Sequence, residues 1–167
     1  MNLNRVLLNV IYLGALIWGV SACSTVNHKV GAALNLDTDL KIEISADKFI
    51  NPDEQDQSSP VVLRLYELTS TQLFEKADFI DLYERDEEIL GATFVAKQEL
   101  KSVVPNTTRT ERFVLSKDTR FIAIFAEFYS YKNAKTKVVF PVTASNVVRN
   151  SVVVNVSGTD LSWNTPR

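Results

Sequence analysis

The sequence predicts a mainly β fold: a two-sheet antiparallel β-sandwich with a small helical insertion at about residues 70–85. Three observations carry this expectation. Short runs through residues 40–162 alternate apolar and polar side chains, the period of a half-buried strand. One run, Phe121 to Phe128, is apolar on both faces, so it belongs at the centre of a sheet covered on both sides. The period lengthens to about 3.6 only once, after Thr69, which makes the helical part a single excursion and not half of an alternating α/β chain. A closed barrel is the alternative packing; the excursion and an edge-like Pro141 argue against it.

Residues 1–22 read as a secretory signal peptide. Arg5 supplies a basic start, Val6 to Val20 is an uncharged, mostly apolar run, and Ser21 and Ala22 are small. The run falls short of the ~20 residues a spanning helix needs, and Asn9 interrupts it. Cys23 follows directly, so Val20-Ser21-Ala22-Cys23 resembles a bacterial lipobox, where the signal is cut before a cysteine that takes the acyl chains. An ordinary signal peptide and an N-terminal anchor helix are the alternatives. Cys23 is the only cysteine, so no disulfide partner competes for it. Several acyl chains, at roughly 0.8 kcal/mol per buried methylene, hold a protein durably where one holds it reversibly. Residue 24 is Ser and not Asp, which resembles the signal for transfer to the outer membrane, facing the periplasm.

After the cut the chain carries 17 of the 18 basic residues and all 20 acids, too acidic a balance for a nucleic-acid surface. Residues 23–39 hold the cysteine and a tether, polar with scattered apolar residues and no sustained period. About 16 residues reach about 55 Å fully extended and about 20–24 Å on average if flexible. His28, the only histidine, sits in this tether and reads as a solvated residue.

The domain is expected over residues 40–162. Leu40 to Ser45 alternates, with Leu40, Ile42 and Ile44 inward. Asn51 to Pro60 has no apolar side chain besides its prolines, and its Asn-Pro and Pro-Asp pairs are turn formers. It is longer than a hairpin needs, which marks a functional loop or a tolerated insertion. Val61 to Leu68 is the next strand, with Arg64 and Tyr66 side by side on its outer face, placed for a cation–π contact. Thr69-Ser70-Thr71-Gln72 reads as a capping box ahead of a stripe of Leu73, Phe74, Ala77 and Ile80. Asp78 is placed to cap a second short helix bearing Phe79, Leu82 and Tyr83, and Asp86-Glu87-Glu88 reads as its solvated end. Strands then follow at Phe94 to Leu100 and Thr110 to Leu115, joined through a turn at Pro105-Asn106-Thr107-Thr108. Others follow at Phe121 to Phe128, Lys137 to Val142 and Ser151 to Ser157, about seven in all. Residues 163–167 read as a frayed tail.

Catalytic chemistry has little to build on. Nucleophilic catalysis needs a Ser or Cys beside a base, usually His, and zinc needs a His/Cys cluster. The five glycines are isolated, so no phosphate loop forms, and no carboxylate pair stands out. No enzyme, metal site or cofactor is expected.

Several segments occur in a characteristic order: the lipobox, the tether, a strand, Asn51-Pro52-Asp53, then Ser59-Pro60-Val61-Val62-Leu63-Arg64-Leu65-Tyr66-Glu67-Leu68. Phe74-Glu75-Lys76-Ala77-Asp78-Phe79, Leu82-Tyr83 and Ile89-Leu90-Gly91-Ala92 follow. As an ordered set, covering essentially the whole mature chain, this resembles the TssJ (SciN) lipoprotein family of the type VI secretion system. The resemblance implies a transthyretin-like sandwich held in the outer membrane by N-acyl and S-diacylglycerol lipid on Cys23. It implies a partner, the periplasmic C-terminal domain of TssM, in a complex with TssL. It also implies that the loop between the first two strands is the contact surface, which places Asn51, Pro52, Asp53, Glu54, Gln55, Asp56, Gln57 and Ser58 at the interface. A periplasmic lipoprotein binding a small molecule or glycan is the alternative. Transthyretin-like hydrolase chemistry, which uses histidine, lacks one in the sandwich.

Overall fold

The computed structural model describes residues 38–143 and 150–166. The signal, Cys23 and the tether up to residue 37 lie outside them. Eight strands form two four-stranded sheets: β1 (Thr38–Ile50), β2 (Leu63–Leu68), β3 (Phe94–Glu99), β4 (Thr108–Leu115), β5 (Phe121–Ala126), β6 (Lys137–Pro141), β7 (Asn150–Gly158) and β8 (Asp160–Asn164). One sheet runs β4-β1-β7-β8 and the other β3-β2-β5-β6. Between β2 and β3 lie α1 (Gln72–Lys76) and α2 (Phe79–Leu90).

The period-two residues do what their alternation dictates. Leu40, Ile42 and Ile44 of β1 and Val152, Val154 and Val156 of β7 face Leu63, Leu65, Ile122 and Ile124 across the sandwich, all buried. Each such side chain contributes about 1.5–3 kcal/mol on burial, so this layer is the main source of stability. The opposite faces of β2 and β5 carry Tyr66, Leu68, Ala123 and Phe125, buried against Phe74, Ala77, Leu82 and Leu90 of the insert. The two-sided apolar run is therefore central, with β2 and β6 as its neighbours. Pro141 ends edge strand β6 as expected. Lys137 of β6 reaches under the insert, and its Nζ donates to the carbonyls of Phe74, Glu75 and Ala77 at 3.1, 3.0 and 2.6 Å. Burial pushes its pKa down.

Several expectations are corrected. The sheets are not wholly antiparallel, because β1 pairs with β7 in parallel, Ile42 opposite Val152. Thr38 and Asp39 begin β1 and are not tether. Ordered β2 pairing starts at Leu63, Val61 making only an isolated bridge to Val103. The turn expected between β3 and β4 is present at Asn106 (φ 58°), and the chain there crosses from one sheet to the other. Trp163 is no frayed tail. Gly158 (φ 56°) turns the chain into β8, where the Trp163 ring packs 5.3 Å from Phe140.

The insert also differs in detail. Thr69 does not cap α1, since its N–H still pairs with the Thr93 carbonyl at 3.0 Å in the sheet's irregular margin. Thr71 takes the cap position without a side-chain bond. The chain turns extended at Ala77, so Phe74 and Ala77 are buried while Leu73 and Ile80 are exposed. Asp78 caps α2 as expected, its Oδ1 accepting the Asp81 N–H at 2.8 Å. The insert runs on to Leu90, kinked at Arg85 (φ −140°, ψ 33°).

Candidate functional site

The Asn51 to Pro60 loop has a fixed shape, built from its root upward. Asn51 adopts φ 45°, a left-handed conformation that asparagine tolerates better than most residues. Its side chain is consumed by the loop's return: Nδ2 donates to the Pro60 carbonyl at 2.8 Å and to Ser59 Oγ at 3.1 Å. Its Oδ1 accepts the Tyr129 N–H at 2.7 Å, and its own N–H donates to the Gly158 carbonyl at 2.8 Å. Ser58 Oγ bonds both backbone groups of Ile50, accepting at 2.9 Å and donating at 3.0 Å. At the tip, Asp53 Oδ1 accepts the N–H groups of Gln55 and Gln57, each at 2.9 Å, an Asx-type turn. Asp56 takes a positive φ of 55° to close it.

The eight sequence-expected loop residues are thus together, but in two roles. Asn51 is buried and Ser58 half-buried in the root, and Asp53 organises the tip. Glu54, Gln55, Asp56 and Gln57 are exposed. Tyr129, in the β5–β6 turn, donates its hydroxyl to Glu54 and so braces the loop. That bond first, with burial second, raises the phenol's pKa.

One more polar cluster lies under the insert. Asp86, expected to be solvated, is buried. Its Oδ2 accepts from Tyr66 Oη at 2.8 Å and Arg64 Nη1 at 3.2 Å, and both its oxygens lie 3.1 Å from Lys97 Nζ. Arg64 also pairs with Glu127 at 2.6 Å and donates to the Leu82 and Tyr83 carbonyls. Arg64 and Tyr66 therefore meet on a shared carboxylate, and the guanidinium stacks over Tyr83 and Phe125 instead of Tyr66. Burial raises the Asp86 carboxyl, but the hydrogen bonds from Tyr66 and Lys97 outweigh it and hold it below the usual carboxylate range. Burial, reinforced by Asp86, pushes the Tyr66 phenol up. The signal for this hub was present: Leu82, Asp86 and Leu90 stand four apart on one buried helical stripe. Both Asp86 oxygens are occupied by contacts within the fold, so the cluster fastens the insert to the sheet. Among the described residues no group of three or more His, Cys, Asp or Glu side chains converges to hold a metal ion.

The comparisons with known proteins agree with this architecture. The family model described as T6SS-SciN, type VI secretion lipoprotein (VasD, EvfM, TssJ), matches residues 38–159. Among solved structures, the T6SS lipoprotein TssJ1 from Pseudomonas aeruginosa is similar with a TM-score of 0.72 and 23% identity over 78% of this chain and 98% of that one. Serratia marcescens Lip, a membrane bound component of the type VI secretion system, gives 0.69 and 17% over 77% and 98%. A chain of the structure described as the T6SS protein TssM C-terminal domain (869-1107) from EAEC gives 0.64 and 20% over 77% and 98%. No curated protein matches the sequence. With the family model spanning seven of the eight strands, from β1 to the β7–β8 turn, the chain belongs to the type VI secretion lipoprotein family that includes TssJ.

Proposed function

We propose that this protein is the outer-membrane-anchored subunit of a type VI secretion membrane complex, held by lipid on Cys23 and binding the periplasmic C-terminal domain of TssM through the β1–β2 loop, with TssL in the same complex. The observation that carries the reading is the placement of that loop. The chain enters the sandwich at Thr38, and the loop leaves β1 at Ile50, the other end of a 13-residue strand. At about 3.3 Å per residue, less the two residues taken up by the irregularity between Ala46 and Ile50, the two ends stand roughly 30 Å apart. The loop therefore lies at the end of β1 remote from the residue at which the lipid-bearing segment enters it. The likeness to a chain of the TssM C-terminal domain structure supports the choice of partner. The role is mechanical, not catalytic: a linker between two membranes with no cofactor beyond its lipid.

Two measurements test it. Radiolabelled palmitate fed to cells should label the protein, and Cys23→Ala should remove the label and release the protein from the outer-membrane fraction; label retained on the variant defeats the anchor. For the loop, residues 53–57 replaced by Gly-Ser of equal length should weaken binding of TssM periplasmic domain to the full-length chain in detergent at least about tenfold. Unchanged affinity with a native unfolding midpoint moves the interface elsewhere.

A further inference from the structure

The loop offers a partner less than its composition suggests. Asp53 Oδ1 is taken by two backbone N–H groups, Gln57 Nε2 by the Gln55 carbonyl, and Glu54 by Tyr129. Ser58 and Ser59 are bonded back to Ile50 and Asn51. Polar groups already satisfied within the protein gain little net free energy when a partner replaces those bonds. Tight binding at this end of the sandwich needs apolar surface to remove from water.

That surface is present around the loop's root. Phe49, Val104 and Tyr129 are 50%, 49% and 55% exposed. Each is the chain neighbour of a core residue, Ile50, Val103 and Phe128, none more than 2% exposed. The core is filled by the neighbour, and the large apolar side chain beside it is left outside. Each adjoins the loop's root: Phe49 stands one residue before β1 ends, and Val104 follows the residue that bridges Val61 on the loop's return. Tyr129 is bonded to Asn51 and Glu54. The Tyr129 ring is thereby held in one orientation, which lowers the entropy lost when it is covered. The loop and the end of β1 before it are net acidic, with Asp47, Asp53, Glu54 and Asp56 against Lys48.

Resting on the function proposed above, we infer that Phe49, Val104 and Tyr129 are the apolar hot spot of the TssM contact. They seat in an apolar recess of the partner rimmed by Lys and Arg, and the loop's acids steer the approach. The affinity resides in the aromatic root, and the acidic tip sets the salt dependence of association.

The full-length chain in detergent is titrated with TssM periplasmic domain by biolayer interferometry at low and high salt. F49A/Y129A should bind at least about 30-fold more weakly at both salts, with an unchanged unfolding midpoint because both side chains are half exposed. E54Q/D56N, which keeps an acceptor for Tyr129, should stay within about fivefold at high salt and lose most of the low-salt gain in on-rate. F49A/Y129A within about threefold of wild type overturns the hot spot. If the Gly-Ser loop then still abolishes binding, the proposed function stands and only this inference falls. A wild-type chain that ignores TssM removes both. A patch whose loss abolishes self-association but leaves TssM binding intact also overturns it, since the occupant is then a second copy.

Discussion

Asp86→Ala is expected to cost about 3 kcal/mol of folding stability, the lower end of the ~3–5 kcal/mol seen when one partner of a buried ion pair is removed. The lower end applies because the partners are not all abandoned. Arg64 keeps Glu127 at 2.6 Å and two helix carbonyls, and Lys97 keeps the exposed Glu87 at 3.1 Å. What remains unmatched is the Tyr66 hydroxyl, on a fully buried side chain, together with the space the carboxylate filled. Asp86→Asn retains an acceptor for Tyr66 and loses only the charge, so about 1–2 kcal/mol is expected for it. Urea midpoints at pH 7 measure both. Native-state hydrogen exchange should place the loss in α2 and edge strand β3, because the hub ties both to β2. A cost for Asp86→Ala below about 1 kcal/mol would mean that apolar packing alone holds the insert.

The same carboxylate sets a pH signature with a definite sign. Its folded-state pKa lies below the ordinary value, so the folded protein binds this proton less readily than the unfolded chain. The stabilisation is fully present above the usual carboxylate range and is lost as pH falls through the folded-state pKa. Asp86→Asn, which has no proton to gain, should therefore lose less stability than wild type on acidification, and the two curves should converge at low pH.

The parts of the fold legible in the sequence are those written in a period. Leu40, Ile42 and Ile44 alternate because one face of β1 meets the core, and Phe121 to Phe128 do not alternate because β5 is covered twice. Asn51-Pro52-Asp53 announced a turn through its own side-chain chemistry, and the bonds of Asn51 and Asp53 are that chemistry realised. Pairing partners leave no such trace, so the parallel β1–β7 contact was not readable. β8 was hidden by brevity: Leu161 and Trp163 alternate, but five residues beyond a turn look like any polar terminus. Asp86 was hidden by its neighbours, because an acidic run reads as solvated unless helical phase is counted from Leu82 and Leu90. At the candidate site, composition pointed to the loop but not to Phe49, Val104 or Tyr129, which belong to three separate segments that only the fold brings to the loop's root.

Asn51→Ala should cost nearly as much as Asp86→Ala, about 3 kcal/mol, and it should act on binding as well. The variant leaves the part-buried Tyr129 N–H and Pro60 carbonyl without their partners, at roughly 1–2 kcal/mol each once solvent partly compensates. Alanine also fits a φ of 45° less well than asparagine, adding up to about 1 kcal/mol. Asn51→Gly removes only this last part and should recover about that much. Asn51→Asp keeps the acceptor for Tyr129 but gives up both Nδ2 bonds and places a charge against the Pro60 carbonyl, so it should fare no better than alanine. The unfolding midpoint reports the global part of the loss. Exchange of the Tyr129 and Ser59 amides reports the local part, and should quicken in Asn51→Ala beyond what global unfolding explains. A loop released at its root must be ordered again by whatever binds it, so affinity for TssM should fall even though no contacting side chain has changed. Equal affinity for wild type and Asn51→Ala, with the loop's exchange accelerated, would show that the partner never depended on the loop's shape. The contact would then lie wholly on the surface around it.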